Sequence, residues 1–397
     1  MRILVHDYAG HPFPIELSRA LAHRGHEVLH VYSASNNNPQ GSLARKEDDA
    51  EGYLPTPITL KQPIEKGALL KRRRQEVEHG RKVVKKLEEF RPEVVLSGNT
   101  PLDPQRLIQV ASRRTGAKFV YWVQDLVGVA TRLLLRDRMR LAGDAIGGYY
   151  ERLEQRLLRN SDALVLITED FKGYVPHDKV ERTEVIPNWG PIADLPVKPR
   201  ENSWREEMGL GDRPVALYSG TLGLKHNPRL LLELAKNLQD TEAVVVVVGV
   251  GTGADFLHES PEARRLENLK LLGFQDYERV PEVLGSADVL VALLEENASV
   301  FSVPSKVLAY LCAERPILLA VPKSNMAAKL VNSLNAGEVV EPRATEAFVQ
   351  AARQMLFSRD KAEQQGKAAR AYAEENFRVD AIATRFEDLF GSLVKRP

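Results

Sequence analysis

The run Val289-Leu290-Val291-Ala292-Leu293-Leu294, the loop Glu295 to Ser302, the segment Val303-Pro304-Ser305-Lys306-Val307-Leu308-Ala309-Tyr310-Leu311-Cys312 and, after Pro316, the run Ile317-Leu318-Leu319-Ala320-Val321 decide the fold. The first and last runs are short, continuous and apolar between turn signals, the pattern of strands buried on both faces. Between them Pro304 suits the first turn of a helix and Ser305 can cap it. Val307, Leu308, Leu311 and Cys312 stand one and four residues apart, which gives that helix a buried face, and Pro316 stops it. The loop therefore ends at a helix N-terminus, with free N–H groups and about half a positive charge. Lys306 adds a full charge against the dipole, at a cost of ~0.3–1 kcal/mol if exposed. An anion seated there would offset that cost; a plain solvent-exposed lysine is the alternative.

The alternation extends outward in both directions. Downstream of Val215 the strands are Val215 to Tyr218, Ala243 to Val248, Leu269 to Leu272, the two already quoted, and Val339-Val340. Helical patterns separate them, at about 228–238, 261–266, 280–284, 305–313, 327–334 and 346–356, and the tail 360–393 is helical in pattern. Upstream, strands are expected at Arg2 to His6, Val28 to Tyr32, Val94 to Leu96, Phe119 to Val123 and Ala163 to Ile167. Residues 33–64 read as irregular. A charged helix follows at about 65–90, with Leu70, Val77, Val84 and Leu87 as its apolar stripe and a basic outer face from Lys71 to Lys86. A mixed basic segment, Arg132 to Leu141, precedes a helix at about 146–159. Pro187, Pro191, Pro196 and Pro199 fall within thirteen residues, too dense for a regular element, and mark a linker. Two alternating series mean an α/β protein of two doubly wound, Rossmann-like domains facing a cleft, 1–190 and 200–378, with ligands at the carboxyl ends of strands.

Composition narrows the function. The chain has 397 residues and a net charge of +1, so nothing points to nucleic acid as a partner. Its one cysteine, Cys312, excludes an intrachain disulfide and reads as core. No secretory signal or spanning stretch is evident, so the expected compartment is cytoplasmic. Walker A, His-Glu-x-x-His and Asp-x-Asp patterns are absent, so no metal site is expected and no cofactor beyond a co-substrate.

Three glycine turns follow strands: Gly10, Ser219-Gly220-Thr221-Leu222-Gly223-Leu224-Lys225, and Gly249-Val250-Gly251-Thr252-Gly253-Ala254. Glycine lets backbone approach phosphate and offer N–H donors. The third turn formally fits a dinucleotide fingerprint, but it follows the second strand of its domain and no acid ends the next strand, so a tight turn with close packing is the better reading. Lys225 is placed to bind diphosphate, with a surface lysine as the alternative. The basic surfaces of the first domain are either solvated faces or a peripheral contact with anionic lipid at the inner face of the membrane.

Gly10, Arg24-Gly25-His26-Glu27-Val28, Val185-Ile186-Pro187-Asn188, Tyr218 to Gly223, Val248 to Gly251 and Ser302 to Leu311, in that order, resemble the GT-B-fold glycosyltransferases of family 4, closest to those that build bacterial surface polysaccharides. The resemblance implies metal-independent transfer of a sugar, with retained configuration, from a nucleotide diphosphate sugar to a glycan or lipid-linked acceptor. The second domain would hold the donor and the first the acceptor, and a final helix, about 380–397, would return to the first domain. Lys225 and Lys306 would face the diphosphate. Gly10, Gly220, Thr221, Gly249, Gly251, Phe274 and the loop Ser302-Val303-Pro304-Ser305 would surround the donor. Asp125 matches a position where relatives present a His or an acid near the reacting sugar, and a helix cap is its alternative role. His11, Asn99 and Gln124 are the candidates for the acceptor. Departures from the family pattern are Ser302 and Ala309 where two glutamates are usual, Thr221 where many members carry Arg, and Glu314 where Gly is common. A nucleotide-sugar epimerase or hydrolase and a non-catalytic binding subunit are the rival readings.

Overall fold

The computed structural model describes residues 1–35, 42–62, 69–296 and 305–394. The chain divides into two compact units, Met1–Asn188 with Val379–Pro397, and Trp189–Arg378. Residues 189 and 190, expected in the first domain, thus belong to the second unit.

The first unit is built on a parallel sheet, order β3-β2-β1-β4-β5-β6-β7. Its strands are β1 Arg2–Asp7, β2 Glu27–Ser33, β3 Tyr53–Ile58, β4 Val94–Gly98, β5 Lys118–Val123, β6 Ala163–Leu166 and β7 Thr183–Val185. Helices α1 Pro12–His23, α2 Leu69–Phe90 and α3 Leu102–Thr115 connect them. Strand order reverses between β1 and β4, and such a switch point is where open α/β sheets take ligands. Two strands escaped the sequence reading. β3 lies inside the stretch expected to be irregular; it contains Pro55 and Pro57, which a strand tolerates at a sheet edge, where β3 sits. β7 has three residues and forms the other edge.

The expected stripe of α2 is also corrected. Leu70 is 77 % exposed, Val77 and Val84 are half-buried, and only Leu87 is fully covered. The buried face runs through Glu76, His79, Gly80, Val83, Leu87 and Phe90, spaced three and four residues apart. Two of those side chains are polar, so an apolar count does not find them.

The mixed basic segment, Arg132 to Leu141, belongs to a helical run, α4, Val127–Asn160. That run doubles back. A straight helix would hold Gly128 and Tyr150 about 33 Å apart, yet a Cβ on Gly128 would stand 2.8 Å from the Tyr150 carbonyl oxygen, and one on Gly147 would stand 2.6 Å from Arg132 Cα. The two arms meet closely enough that only glycine fits at 128. Glu154, 2 % exposed on the returning arm, accepts the Gly128 N–H at 3.0 Å, with the N–H groups of Val127 and Val129 close by. One carboxylate thus faces the free N–H groups at the start of α4.

Burial raises the Glu154 pKa to about 7 from 4.5, against the opposing pull of those three N–H groups. The folded chain then binds this proton more tightly than the unfolded chain does. The resulting stability is full below pH 4.5 and is lost as pH rises through 7, a change of ~3 kcal/mol. Relative to Glu154→Gln, the native chain should lose about that much unfolding free energy between pH 4 and pH 8. Paired denaturant titrations check this, and parallel curves would refute it.

The last helix, Val379–Val394, packs within the first unit. Phe386 is fully buried, with its ring 5.1 Å from that of Trp122. Glu387 accepts Arg24 Nη1 and pairs with His26 Nε2, each at 2.8 Å. These contacts explain the Arg24-Gly25-His26 turn, and they hold the Glu387 carboxyl below its usual range. The contribution is present at neutral pH and is lost as pH falls through that lowered value. Glu387→Gln should therefore cost ~0.5–1 kcal/mol at pH 7 and nothing in acid, read from denaturation midpoints.

The second unit carries a parallel sheet, order β10-β9-β8-β11-β12-β13, again reversing between its first and fourth strands. The strands are β8 Val215–Ser219, β9 Val244–Val248, β10 Leu269–Leu272, β11 Val289–Leu293, β12 Ile317–Ala320 and β13 Gly337–Val340. A helix not anticipated, Thr252–Glu259, starts directly after the β9 turn, and the one expected at 261–266 is only a 3-10 turn, Ala263–Arg265. In the helix Lys306–Cys312 the buried residues are Val307, Tyr310, Leu311 and Cys312; Tyr310 takes the place expected of Leu308, which is half-buried.

Candidate functional site

In the second unit the turns after β8 and β9 interlock at the switch point. Gly220 donates to Val248 O at 2.9 Å, Leu222 to Val250 O at 3.0 Å and Gly253 to Leu222 O at 2.8 Å. A Cβ on Gly249 would overlap the Gly220 carbonyl oxygen, and one on Gly251, where φ is +126°, would come within 2.7 Å of Leu222 O. The glycines after β9 therefore serve close packing. Gly249 donates to Leu272 O and Gly223 to His226 Nδ1. The N–H groups of Gly220, Leu222, Gly223, Gly249 and Gly253 are thus committed within the protein, in keeping with the packing role expected of the turn after β9.

The positive charge at this place comes from side chains. Lys306 Nζ lies 3.6 Å from the centre of the Tyr218 ring and donates to the Tyr218 hydroxyl oxygen and, at 3.5 Å, to Thr221 O. Among the described residues no acid pairs with it. Burial, then repulsion from Lys225, pulls its pKa well below the lysine range. Lys225 is exposed. His226 is held neutral, its pKa lowered to about 3, by burial and then by Lys306 and Lys225. Tyr310 ties the Lys306 helix to the sheet: its hydroxyl accepts the Ser219 N–H at 2.9 Å and lies 3.1 Å from Ser219 O. Gly220, at φ +124°, leaves room for the Lys306 chain, whose Cε would stand 3.3 Å from a Cβ there. Phe274 is 37 % exposed beyond the end of β10.

Ser305 does not cap. Its φ and ψ of −56° and −27° are already helical, and a capping side chain needs an extended backbone to fold back. Ser302, Val303 and Pro304 lie outside the described residues. Tyr218, His226 and Tyr310 were missed; the adjacency of His226 to Lys225 was the one available signal.

In the first unit the centre is Asp7, 1 % exposed at the end of β1. It accepts the N–H groups of His11 at 2.5 Å and Ala9 at 3.4 Å, and Asn99 Nδ2 at 2.9 Å. His11 Nδ1 lies 3.6 Å from Asp7 Oδ1, an ion-pair distance too long for a hydrogen bond. Desolvation would push the Asp7 carboxyl up, but its contacts with His11 outweigh that and hold it down. Gly10 turns the chain between them at φ +75°. Asn99 is thus a support for Asp7. Gln124 is buried and accepts from Asn188 Nδ2 at 2.5 Å, while its own Nε2 has no partner among the described residues. Asp125 is exposed on the bend before α4, and its charge reaches His11. Asp7 had a legible signal, an acid closing a buried strand before a glycine turn.

Residues 15–189 match the family model described as glycosyl transferase 4-like domain, and residues 200–372 the one described as glycosyl transferases group 1. A putative colanic acid biosynthesis glycosyl transferase of Escherichia coli K12, WcaI, is 26 % identical over 300 residues, 71 % of this chain and 73 % of that protein. The alpha-D-kanosaminyltransferase of Streptomyces kanamyceticus is 26 % identical over 51 % of this chain and 53 % of its own length. Among solved structures, Anabaena HepE in complex with UDP-glucose superposes with a TM-score of 0.71 at 17 % identity, covering 99 % of this chain and all of that one.

Proposed function

The chain belongs to family 4 of the GT-B-fold glycosyltransferases, and on that premise we propose that it moves a sugar from a nucleotide diphosphate sugar to a glycan or lipid-linked glycan of a surface polysaccharide. The observation that carries the donor class is Lys306, a half-buried ammonium with no acid partner among the described residues, beside a second lysine. Such a pair is destabilised until a polyanion arrives, and a diphosphate supplies one. The HepE complexes with UDP and UDP-glucose favour a uridine donor over other bases. The family resemblance implies that Phe274 contacts the base through its backbone.

Chemically, Lys225 and Lys306 neutralise the leaving diphosphate, so transfer needs no divalent ion, and the family resemblance implies retention of configuration. The first unit offers Asp7, His11 and Asp125 to the acceptor. Thermal shift with UDP, GDP, ADP and their sugars identifies the donor, since a ligand of the native state raises stability with the logarithm of its concentration. Turnover unaffected by EDTA and an α-linked product from an α-linked donor are the results expected. Prompt release of free sugar without acceptor would reject transfer in favour of hydrolysis.

A peripheral contact with anionic lipid extends this reading. Lys71, Arg72, Arg73 and Arg74 are all exposed at the start of α2, and Arg72 and Arg73 are ion-paired to Glu76 and Asp103. Among the described residues no helix is long and apolar enough to cross a membrane. Flotation with anionic vesicles at low salt, lost at high salt, is expected; no flotation at low salt removes the idea.

A further inference from the structure

In the first unit, cations gather at the end of the sheet opposite its switch point. A cavity of about 340 Å³ opens there, at the amino ends of β5 and β6. Arg113 lines it from the last turn of α3, Lys118 from the start of β5 and Arg159 from the last turn of α4. Lys179 and Arg182 come from the 3-10 turn His177–Arg182. Among the described residues Asp162 is the one acid in the lining. β5 has six residues, so the cavity lies about 17 Å from the carboxyl end of that strand, where Val123 stands.

Part of this charge has a structural use. Lys179 Nζ donates to Ser161 O at 2.7 Å and Arg113 Nη2 to Asn160 O at 3.1 Å, so both satisfy carbonyls at the end of α4. Lys118 Nζ stands 3.7 Å from one Asp162 oxygen, and the other accepts the Phe119 N–H at 2.9 Å. Arg159 and Arg182 are exposed and make no hydrogen bond or ion pair among the described residues. The ends of α3 and α4 offset about half a charge each, and Asp162 offsets one more. The lining stays strongly positive, although the whole chain carries only +1.

A second cavity, of about 580 Å³, adjoins the first and shares Lys118, Asp162 and Arg182 with it. Here acids and bases nearly balance. Arg385 of the last helix pairs with Glu184 at 3.3 Å, and Glu181, Asp388, Thr183 and Ser392 add oxygens. We propose that the two cavities together bind a phosphorylated saccharide, at a site separate from the carboxyl ends of the strands. The inference does not rest on the transferase reading. Two guanidinium groups with free N–H donors match the oxygens of a phosphate. The carboxylates and hydroxyls next door match sugar hydroxyls, which both donate and accept. Together the cavities have the size of a small-molecule site. A lone phosphate would leave the larger one unfilled, and a neutral sugar would leave both guanidinium groups unpaired.

The test is calorimetric titration at low salt of the full chain carrying Lys225→Ala and Lys306→Met, which removes the lysines of the second unit as competing anion sites. Glucose 1-phosphate and glucose 6-phosphate are the probes, and at least one should show a single saturable site. Adding Arg159→Gln and Arg182→Gln should raise its Kd by ~10-fold or more. Glucose should give no measurable binding, and inorganic phosphate should bind more weakly than the sugar phosphate. No saturable binding of either probe overturns the site. So does an unchanged Kd in the arginine variant, which together with a lower Tm would mark the two side chains as helix-end caps. Inorganic phosphate binding as tightly as the sugar phosphate overturns the saccharide and the part of the second cavity. If the doubly substituted arginine variant fails to fold, Arg182→Gln alone is read by the same criterion.

Discussion

Lys306→Met should lower kcat/KM by ~10²–10³-fold, the scale of removing one donor from a preorganised anion site, while raising Tm. The two directions follow from one observation. Lys306 is half-buried against an aromatic face and two neutral oxygens but, among the described residues, no acid. Without a ligand its charge is a cost to the fold, so a methionine of similar length relieves it. With a diphosphate bound the same charge is needed, because the N–H groups of Gly220, Leu222, Gly249 and Gly253 beside it are committed within the protein. Exposed Lys225→Ala should cost less, about tenfold, since water screens it. A further sign is proton uptake. Burial and Lys225 depress the Lys306 pKa, and a bound polyanion restores it, so nucleotide binding should take up protons above that depressed value. Binding heats measured in buffers of different ionisation enthalpy report this. Lower activity together with lower Tm would make Lys306 a structural residue instead.

Gly249→Ala should destabilise the second unit by ~3 kcal/mol or more and abolish donor binding, an overpacking cost with no side chain free to yield. The methyl group would meet the Gly220 carbonyl oxygen, which is backbone, and Gly220 in turn borders Lys306. Any relief must move the β8 turn, and with it the place where Lys306 Nζ meets Tyr218 and Thr221. Gly273→Ala is the control, because nothing lies within 4 Å of its Cβ and its φ is not left-handed; it should change stability by no more than ~0.5 kcal/mol. Equal behaviour of the two variants, by denaturant titration and thermal shift with UDP, would refute the packing argument.

The alternation of buried strands with helices was legible because parallel strands covered on both faces are continuous apolar runs, as in Val244 to Val248. What escaped lies where burial and apolarity part. β3 carries two prolines at an edge, and α2 buries Glu76 and His79. The hairpin in α4 escaped because its first arm is a mixed basic segment with no clear apolar stripe and its turn shows no proline. At the site, glycine and lysine marked Gly220, Lys225 and Lys306, since both types stand out beside a strand end. Asp7 acts through what it holds, and His226 through a single backbone N–H, and such roles leave no periodic trace. The glycines after β9 were recognised as packing residues, but the consequence, that their neighbours' N–H groups are spent, needed the hydrogen bonds themselves.

The first unit takes its sheet from one stretch of chain and its closing helix, Val379–Val394, from another, with all of Trp189–Arg378 in between. During synthesis the second unit is complete in one piece as it emerges. The first must wait, with the surface around Trp122 and Phe13 uncovered, until Phe386 and Phe390 arrive. A released chain truncated near residue 378 should therefore show a protease-resistant second unit joined to a first unit still open to chaperones.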